Sequence, residues 1–204
     1  MPVLIHPALP RLILGSTSPY RRALLARLRL AFDAVAPQVN ETPRPGETPA
    51  ALAPRLALEK ATEVASRHPG AVVIGADQVA DLAGQVIGKP HTHDRAVWQL
   101  QAMRGQRVVF HTAVAVFAPS TGQARVMVAP VVVHFRAVSD AQIERYLRLD
   151  QPYDCAGSAK CETLGITLLA SIESDDPTAL EGLPLIRTCT LLREAGIDPL
   201  ALAV

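Results

Sequence analysis

The chain reads as an α/β protein of mixed rather than strictly alternating element order. Three observations carry that reading. Short β-rich apolar runs and helical patterns succeed one another through the first hundred residues. Two longer runs, 108–117 and 126–135, flank the turn "PSTGQ" as an antiparallel pair. No composition shift splits off an independent part, so one domain spanning residues 1–204 is expected.

The elements follow in order. Leu12 to Leu14 is a short buried strand stopped by Gly15. Ser18 is a natural N-cap and Pro19 a natural first helical residue, so a helix is expected from there to about Arg29, with Leu24, Leu25 and Leu28 on its apolar face. A second strand is expected within 31–36. The prolines and glycine of "NETPRPGETP" make 40–49 a loop, and the helix after it closes at His68-Pro69-Gly70. Pro54 lies inside that helical pattern, so the helix is expected to kink there or to start late. Val72 to Val79 is a strand, Ala83-Gly84 a turn, and Val86-Ile87 the returning strand. A helix spans about His93 to Met103. Ser139 and Gln142 form a capping box for a helix ending near Leu149. Residues 153–168 are punctuated by glycine, and Leu185 to Ala195 is the last helix, stopped by Gly196.

Composition narrows the function. Twenty Lys plus Arg against 19 Asp plus Glu give no global field for nucleic acid or membrane, so any anion site must be local. Only 4% of residues are aromatic, which argues against a surface for stacking single strands. Three cysteines without C-x-x-C spacing fit reduced thiols and a cytoplasmic protein. No signal-peptide pattern opens the chain, and no apolar run has membrane-spanning length.

Several short motifs can carry chemistry, though each has an ordinary alternative. "GSTSPYRR" leads a glycine-serine loop into a helix N-terminus, where free N–H groups and the dipole favour phosphate. Ser16 and Ser18 supply hydroxyls there, and Arg21 and Arg22 add charged donors. The same residues also make a plain N-cap with solvated arginines. "IGADQV" sets Asp77 at the end of an apolar strand, a poor place for a carboxylate without a task; a turn-forming Asp is the alternative. Lys89 in "GKP" can reach a phosphate, while Glu41 and Lys60 taken singly read as surface charges. His91, His93 and Asp94 form a metal-like triplet, but three adjacent ligands with no distant partner do not build a closed site.

In combination the motifs are far more specific. "STSPYRR", "NETP", "LALEKA", "GADQV", "GKP", "YDCAGSAKCETLGI" and "LEGLPLI" occur in this order, and together they resemble the Maf family of nucleoside triphosphate pyrophosphatases from about residue 11 to 196. The resemblance implies an inosine-triphosphatase-like α/β fold, an elongated mixed sheet with helices forming two lobes around a central cleft. It implies hydrolysis of a nucleoside triphosphate to the monophosphate and pyrophosphate with a divalent cation, Mg²⁺ or Mn²⁺. By motif match Asp77 is the catalytic acid. Arg21, Arg22, Lys60 and Lys89 fall on the family's basic positions and Glu41 on an acidic one; Ser16 and Ser18 join these cations as candidate phosphate ligands, and Glu41 and Asp77 are the candidate metal ligands.

Three positions depart from the branch similar to dTTP and UTP pyrophosphatases. Tyr20 follows the proline where that branch has Arg, Gln78 follows Asp77 where it has Thr, and Glu162 replaces its Gln. These look like the 7-methyl-GTP pyrophosphatase branch, so Tyr20, Gln78 and Glu162 are the expected specificity residues. Ala159 stands where an aromatic is usual. The alternatives are a pyrophosphatase for dTTP, UTP or noncanonical nucleotides, and a non-catalytic nucleotide sensor acting in cell division. The expected partner is a small nucleotide, without membrane or strong nucleic-acid signature. Many proteins of this kind dimerise, so a homodimer is a candidate assembly.

Overall fold

The computed structural model describes residues 10–203, and the opening stretch read above for a signal peptide lies outside the described residues. The strands are β1 (Leu12–Gly15), β2 (Asp33–Ala34), β3 (Val72–Leu82), β4 (Gln85–Ile87), β5 (Arg107–Ala118), β6 (Gln123–Phe135) and β7 (Leu169–Glu173). The helices are α1 (Pro19–Ala26), α2 (Pro49–Arg67), α3 (His93–Met103), α4 (Asp140–Asp150), α5 (Leu185–Glu194) and α6 (Pro199–Leu202). The strands form one mixed sheet in the order β2-β1-β3-β5-β6-β7, with β4 added beside the far end of β3. Strand β1 runs parallel to β2 and β3, and all other pairs are antiparallel.

The length of the sheet comes from β5 and β6. At ~3.3 Å per residue these strands, 12 and 13 residues long, pass through both ends of the molecule. On one face α2 lays a stripe of Leu52, Ala53, Leu56, Ala57, Ala61 and Val64 over the sheet. The other face carries two cores. One gathers Leu24, Leu25, Ile74, Val114, Leu191 and Leu192; the other gathers Leu100, Met103, Val131, Ile143 and Leu147. The cleft lies where these two lobes part.

Local chemistry explains the element boundaries. Ser18 caps α1, its Oγ accepting from Arg21 N at 3.4 Å, and Thr48 and Thr92 cap α2 and α3 in the same way. The capping box at Ser139 and Gln142 is formed. Helix α1 stops at Ala26, short of the expected Arg29, because Arg29 turns left-handed at φ 54° and Leu28 and Leu30 reach the core from a loop. Strand β2 shrinks to two residues. Helix α2 neither starts late nor breaks at Pro54: Thr48 caps it, and the proline costs only one amide donor near its start. Strand β3 runs three residues past Val79, because its ladder with β5 continues to Asp81. The short β7 and α6 lie outside the elements expected from sequence.

Candidate active site

The cleft opens along a gap in one edge of β3. Strand β1 leaves that edge after Gly15 pairs with Gly75, and β4 joins it only from Ala80 onward. Residues 76–79 therefore have no strand on that side. Asp77 sits here, inside a long strand rather than at its end, and on its other side it pairs with Ala113 of β5. A cleft of ≈ 470 Å³ runs past this gap. Its lining includes Ser16, Ser18, Tyr20, Arg21, Glu41, Lys60, Asp77, Gln78, Lys89 and Glu162. Of the residues expected at the site from sequence, Arg22 stands apart: it is exposed on α1 and does not line the cleft.

Asp77 and Lys60 meet because helix and strand touch backbone to backbone. A Cβ on Gly75 would lie 2.3 Å from Ala57 O, so only glycine lets α2 sit this close. Lys60 falls on the same buried helical stripe as Leu52, Leu56 and Val64, and is 4% exposed. Its Nζ lies 2.7 Å from Asp77 Oδ1 and 2.7 Å from Glu41 Oε1. Lys60 is thus held between two carboxylates rather than free on a surface, and Glu41 reaches in from its loop. Burial raises the pKa of Asp77 above the ordinary carboxylate value, with Lys60 and Arg21 pulling the other way. Asp77 is a better base than an unperturbed aspartate. Glu41 loses some hydration too, but Lys60, Lys89 and Arg21 hold its pKa low.

Arg21 serves as a brace as well as a cation. Its Nε donates to Gly182 O at 3.0 Å and its Nη1 to Ser16 Oγ at 3.4 Å. Loss of solvation lowers its pKa, opposed by Asp77 and Glu41. Ser16 Oγ also accepts from Ser18 N at 3.2 Å, closing the loop before α1. Lys89 is exposed across the cleft. Its loop is braced by Gly88 O, which accepts from Gln99 Nε2 at 3.0 Å, and Gln99 in turn accepts from the buried Ser158 hydroxyl.

Tyr20 opens the other end. Its hydroxyl donates to Asp154 Oδ1 at 3.3 Å, and Lys160 Nζ lies 5.7 Å from the ring centroid. One ring face thus already carries a cation. Burial, with Cys155 and Asp154 nearby, raises the tyrosine pKa and keeps it neutral. Glu162 is exposed in a loop, where it accepts from Cys161 Sγ at 3.7 Å. Gln78 departs from expectation, because its amide nitrogen is occupied by Thr112 and by the carbonyls of residues 179 and 180. Glu181, on that turn, also lines the cleft and was not picked out from sequence, although "LEGLPLI" contains it. Asp154 was likewise missed inside "YDCAGSAKCETLGI". The histidine triplet does not converge: His93 is structural, its Nδ1 meeting Tyr153 Oη at 2.9 Å and its Nε2 meeting Glu144 at 2.8 Å, while His91 lines the cleft.

Among the described residues no three His, Cys, Asp or Glu side chains converge on a cation site. Two of the cleft's carboxylates, Asp77 and Glu41, do come together around Lys60. Asp77 Oδ1 is taken by Lys60, while Oδ2 accepts no hydrogen bond, and no fully buried side-chain oxygen among the described residues lacks a partner. Oδ2 is therefore open to the cleft. One or two carboxylates completed by substrate phosphates is a normal Mg²⁺ environment, so this donor set fits an ion that binds together with a polyphosphate.

A seven-stranded mixed sheet, a cation-lined cleft at a strand-edge gap and a buried carboxylate in that gap define an α/β protein built to bind a phosphorylated ligand. The chain belongs to the Maf family: the family described as Maf-like protein matches residues 11–195. It is similar to the 7-methyl-GTP pyrophosphatase of Albidiferax ferrireducens, 61% identical over 195 residues covering 96% of this chain and 98% of the relative. The 7-methyl-GTP pyrophosphatase of a Polaromonas species is 63% identical over 91% of this chain and 85% of its own length. That of Xanthomonas axonopodis pv. citri is 58% identical over 93% and 99%.

Proposed function

We propose that this protein is a nucleoside triphosphate pyrophosphatase that hydrolyses 7-methyl-GTP to 7-methyl-GMP and pyrophosphate. The observation that carries the reading is the polarity of one cleft. Arg21, Lys60, Lys89 and Asp77 share it with Tyr20 and Glu162. Relatives 53–63% identical carry the name 7-methyl-GTP pyrophosphatase, and they extend the same reading to the substrate.

The residues divide the work. The Ser16–Ser18 loop and α1 N-terminus receive phosphate, with Arg21 and Lys89 balancing its charge. Asp77 accepts a hydrogen bond from the attacking water and takes up its proton, helped by its raised pKa. Water attacks the α-phosphorus, the bond from it to the bridging oxygen breaks, and pyrophosphate leaves toward the cations. A divalent cation held by Asp77 and Glu41 would supply Lewis-acid polarisation of the phosphates. Lys60 bridges these two carboxylates and favours their charged forms. At the other end Tyr20 offers a ring to the positively charged methylated base, and Glu162 a carboxylate to its paired N–H donors.

No helix among the described residues is long and apolar enough to cross a membrane. A cytoplasmic setting is part of the proposal, supported by three free cysteines. A free nucleotide substrate, supported by the near-neutral charge, and a homodimer belong to it as well. The test is pyrophosphate release from 7-methyl-GTP, GTP, UTP and dTTP with Mg²⁺ or Mn²⁺. The expected result is the highest kcat/KM for 7-methyl-GTP. Equal or better cleavage of UTP or dTTP would move the protein to the other pyrophosphatase branch, and no release from any of the four would favour a sensor.

A further inference from the structure

We infer that Gln78 governs base selection without touching the base, by tying down the turn Ala179–Gly182, and that Glu181 on this turn is a second base-selecting carboxylate. The inference rests on the pyrophosphatase reading above and names a residue and a route which that reading lacks.

Gln78 lies on the face of β3 opposite Asp77, between the two apolar cores. Its Nε2 is 2.9 Å from Thr112 Oγ1, 3.0 Å from Ala179 O and 3.1 Å from Leu180 O. A carboxamide nitrogen has two hydrogens. Three acceptors already share them, so no donor remains for a nucleobase. Thr112 is fully buried, which fixes the sheet end of the tie.

The turn needs such a tie. Residues Ala179–Glu181 form a single 3₁₀ turn ended by Gly182 at φ 108°. Its own bonds are few: Gly182 N to Ala179 O at 3.0 Å and Glu181 N to Thr178 O at 3.2 Å. Thr178 Oγ1 closes the base of the loop, donating to Leu183 O at 2.9 Å and accepting from Leu185 N at 2.8 Å, and the bonds that hold its tip against the cleft come from outside. Gln78 holds two of its carbonyls and Arg21 holds a third, at Gly182. Arg27 fixes the carboxylate, with Nη2 2.7 Å from Glu181 Oε2 and Nη1 3.4 Å from Oε1. The Glu181 side chain is 19% exposed and lines the cleft.

Glu181 is the better-oriented of the two carboxylates. Glu162 is exposed on a loop and accepts from the Cys161 thiol at 3.7 Å, whereas Glu181 is gripped by a fork of donors and by its own tethered backbone. With the Arg27 fork in place each Glu181 oxygen keeps one lone pair free, so the carboxylate can accept an N–H donor of a guanine edge and attract its methylated, positive form. Uracil and thymine would leave it poorly paired. A threonine at position 78 is too short to reach the turn from β3, and it offers one hydrogen instead of two. The branch difference at this position therefore becomes a difference in whether the turn is tied.

The experiment is a double-mutant cycle read as the ratio of kcat/KM for the nucleotide the wild type prefers over that for UTP, or over dTTP should UTP itself be preferred. Gln78→Ala and Glu181→Gln should each lower the ratio about tenfold, and the double variant about tenfold as well, since both act through one carboxylate. Gln78→Ala combined with Glu162→Gln should instead multiply. Gln78→Glu separates the tie from direct contact: it keeps the acceptor oxygen and the size but loses both hydrogens, so it should fall with Gln78→Ala. The inference is overturned by an unchanged ratio in Glu181→Gln, by multiplying effects of Gln78→Ala and Glu181→Gln, or by a Gln78→Glu variant that keeps the wild-type ratio. Absence of pyrophosphate release by the wild type would instead sink the pyrophosphatase reading and this inference with it.

Discussion

At one end of the cleft Arg21, Lys60 and Asp77 stand on a helix, a helix and a strand; at the other, Tyr20 faces residues 153–162, where only one 3₁₀ turn breaks the loop. Asp77 and Lys60 are 6% and 4% exposed, while Glu162 is open to solvent. The contrast teaches where each task can reside. Charge chemistry on an α-phosphorus needs groups that do not move and that feel a weak dielectric, and burial on regular elements supplies both. On the proposed reading, base choice rests in part on loop and turn residues, Glu162 and Glu181, which can change from branch to branch without disturbing the sheet, with Tyr20 on α1 and Gln78 on β3 beside them.

The largest effect should follow from breaking the buried end. Asp77→Asn keeps the size and loses the charge, so kcat should fall by much more than tenfold, above ~1.4 kcal/mol of barrier. Steady-state pyrophosphate release measures it, and a variant retaining more than about a tenth of wild-type kcat would remove Asp77 from the mechanism.

Arg21 and Lys89 sharpen the comparison, since both are cations at the cleft but only Arg21 also braces the turn. Arg21→Ala should raise KM for triphosphates about 10–100-fold, the range expected for hydrogen bonds to charged groups. It should also disturb the choice of base, through Gly182. Lys89→Ala, at an exposed position, should raise KM several-fold and leave the ratio between bases intact. Parallel kinetics on two nucleotides check both. Loss of selectivity in Lys89→Ala would show that the two ends are not separate.

The smallest effect concerns pH. Burial raises the pKa of Asp77, so the acid limb of kcat should lie above the ~4 of an ordinary aspartate. Activity is present above that limb and is lost as pH falls through it. Lys60 opposes the shift, so Lys60→Met should move the limb further up in pH. A pH profile of kcat in which the limb stays put or moves down would detach Lys60 from the titration of Asp77.

Sequence disclosed the two ends unequally, and for physical reasons. Caps and turns are local, so Ser18, Thr92 and the box at Ser139 set α1, α3 and α4 within a few residues of expectation. Arg29 carries no glycine signal for its left-handed turn, so the end of α1 was hidden. Asp77 was legible as an anomaly within an apolar run, yet its place in the middle of β3 depends on β5, which lies over thirty residues away in the chain. Lys60 carries a local sign beyond its motif, since it sits on the apolar stripe of α2, where a lysine must find a partner. Its neighbours Glu41 and Asp77 come from distant segments, and no spacing reveals them. The commitment of Gln78 to a turn a hundred residues on was equally beyond local pattern, as was the exclusion of Arg22 from the cleft.

The division of labour between the two ends is tested most directly by assaying Asp77→Asn and Glu162→Gln side by side on 7-methyl-GTP and GTP. In Asp77→Asn, kcat should drop by a similar large factor on both substrates, leaving their kcat/KM ratio near that of the wild type. In Glu162→Gln, the ratio should fall while kcat on GTP is largely kept. A ratio that collapses in Asp77→Asn, or one that survives in Glu162→Gln, would contradict the separation of chemistry from base choice.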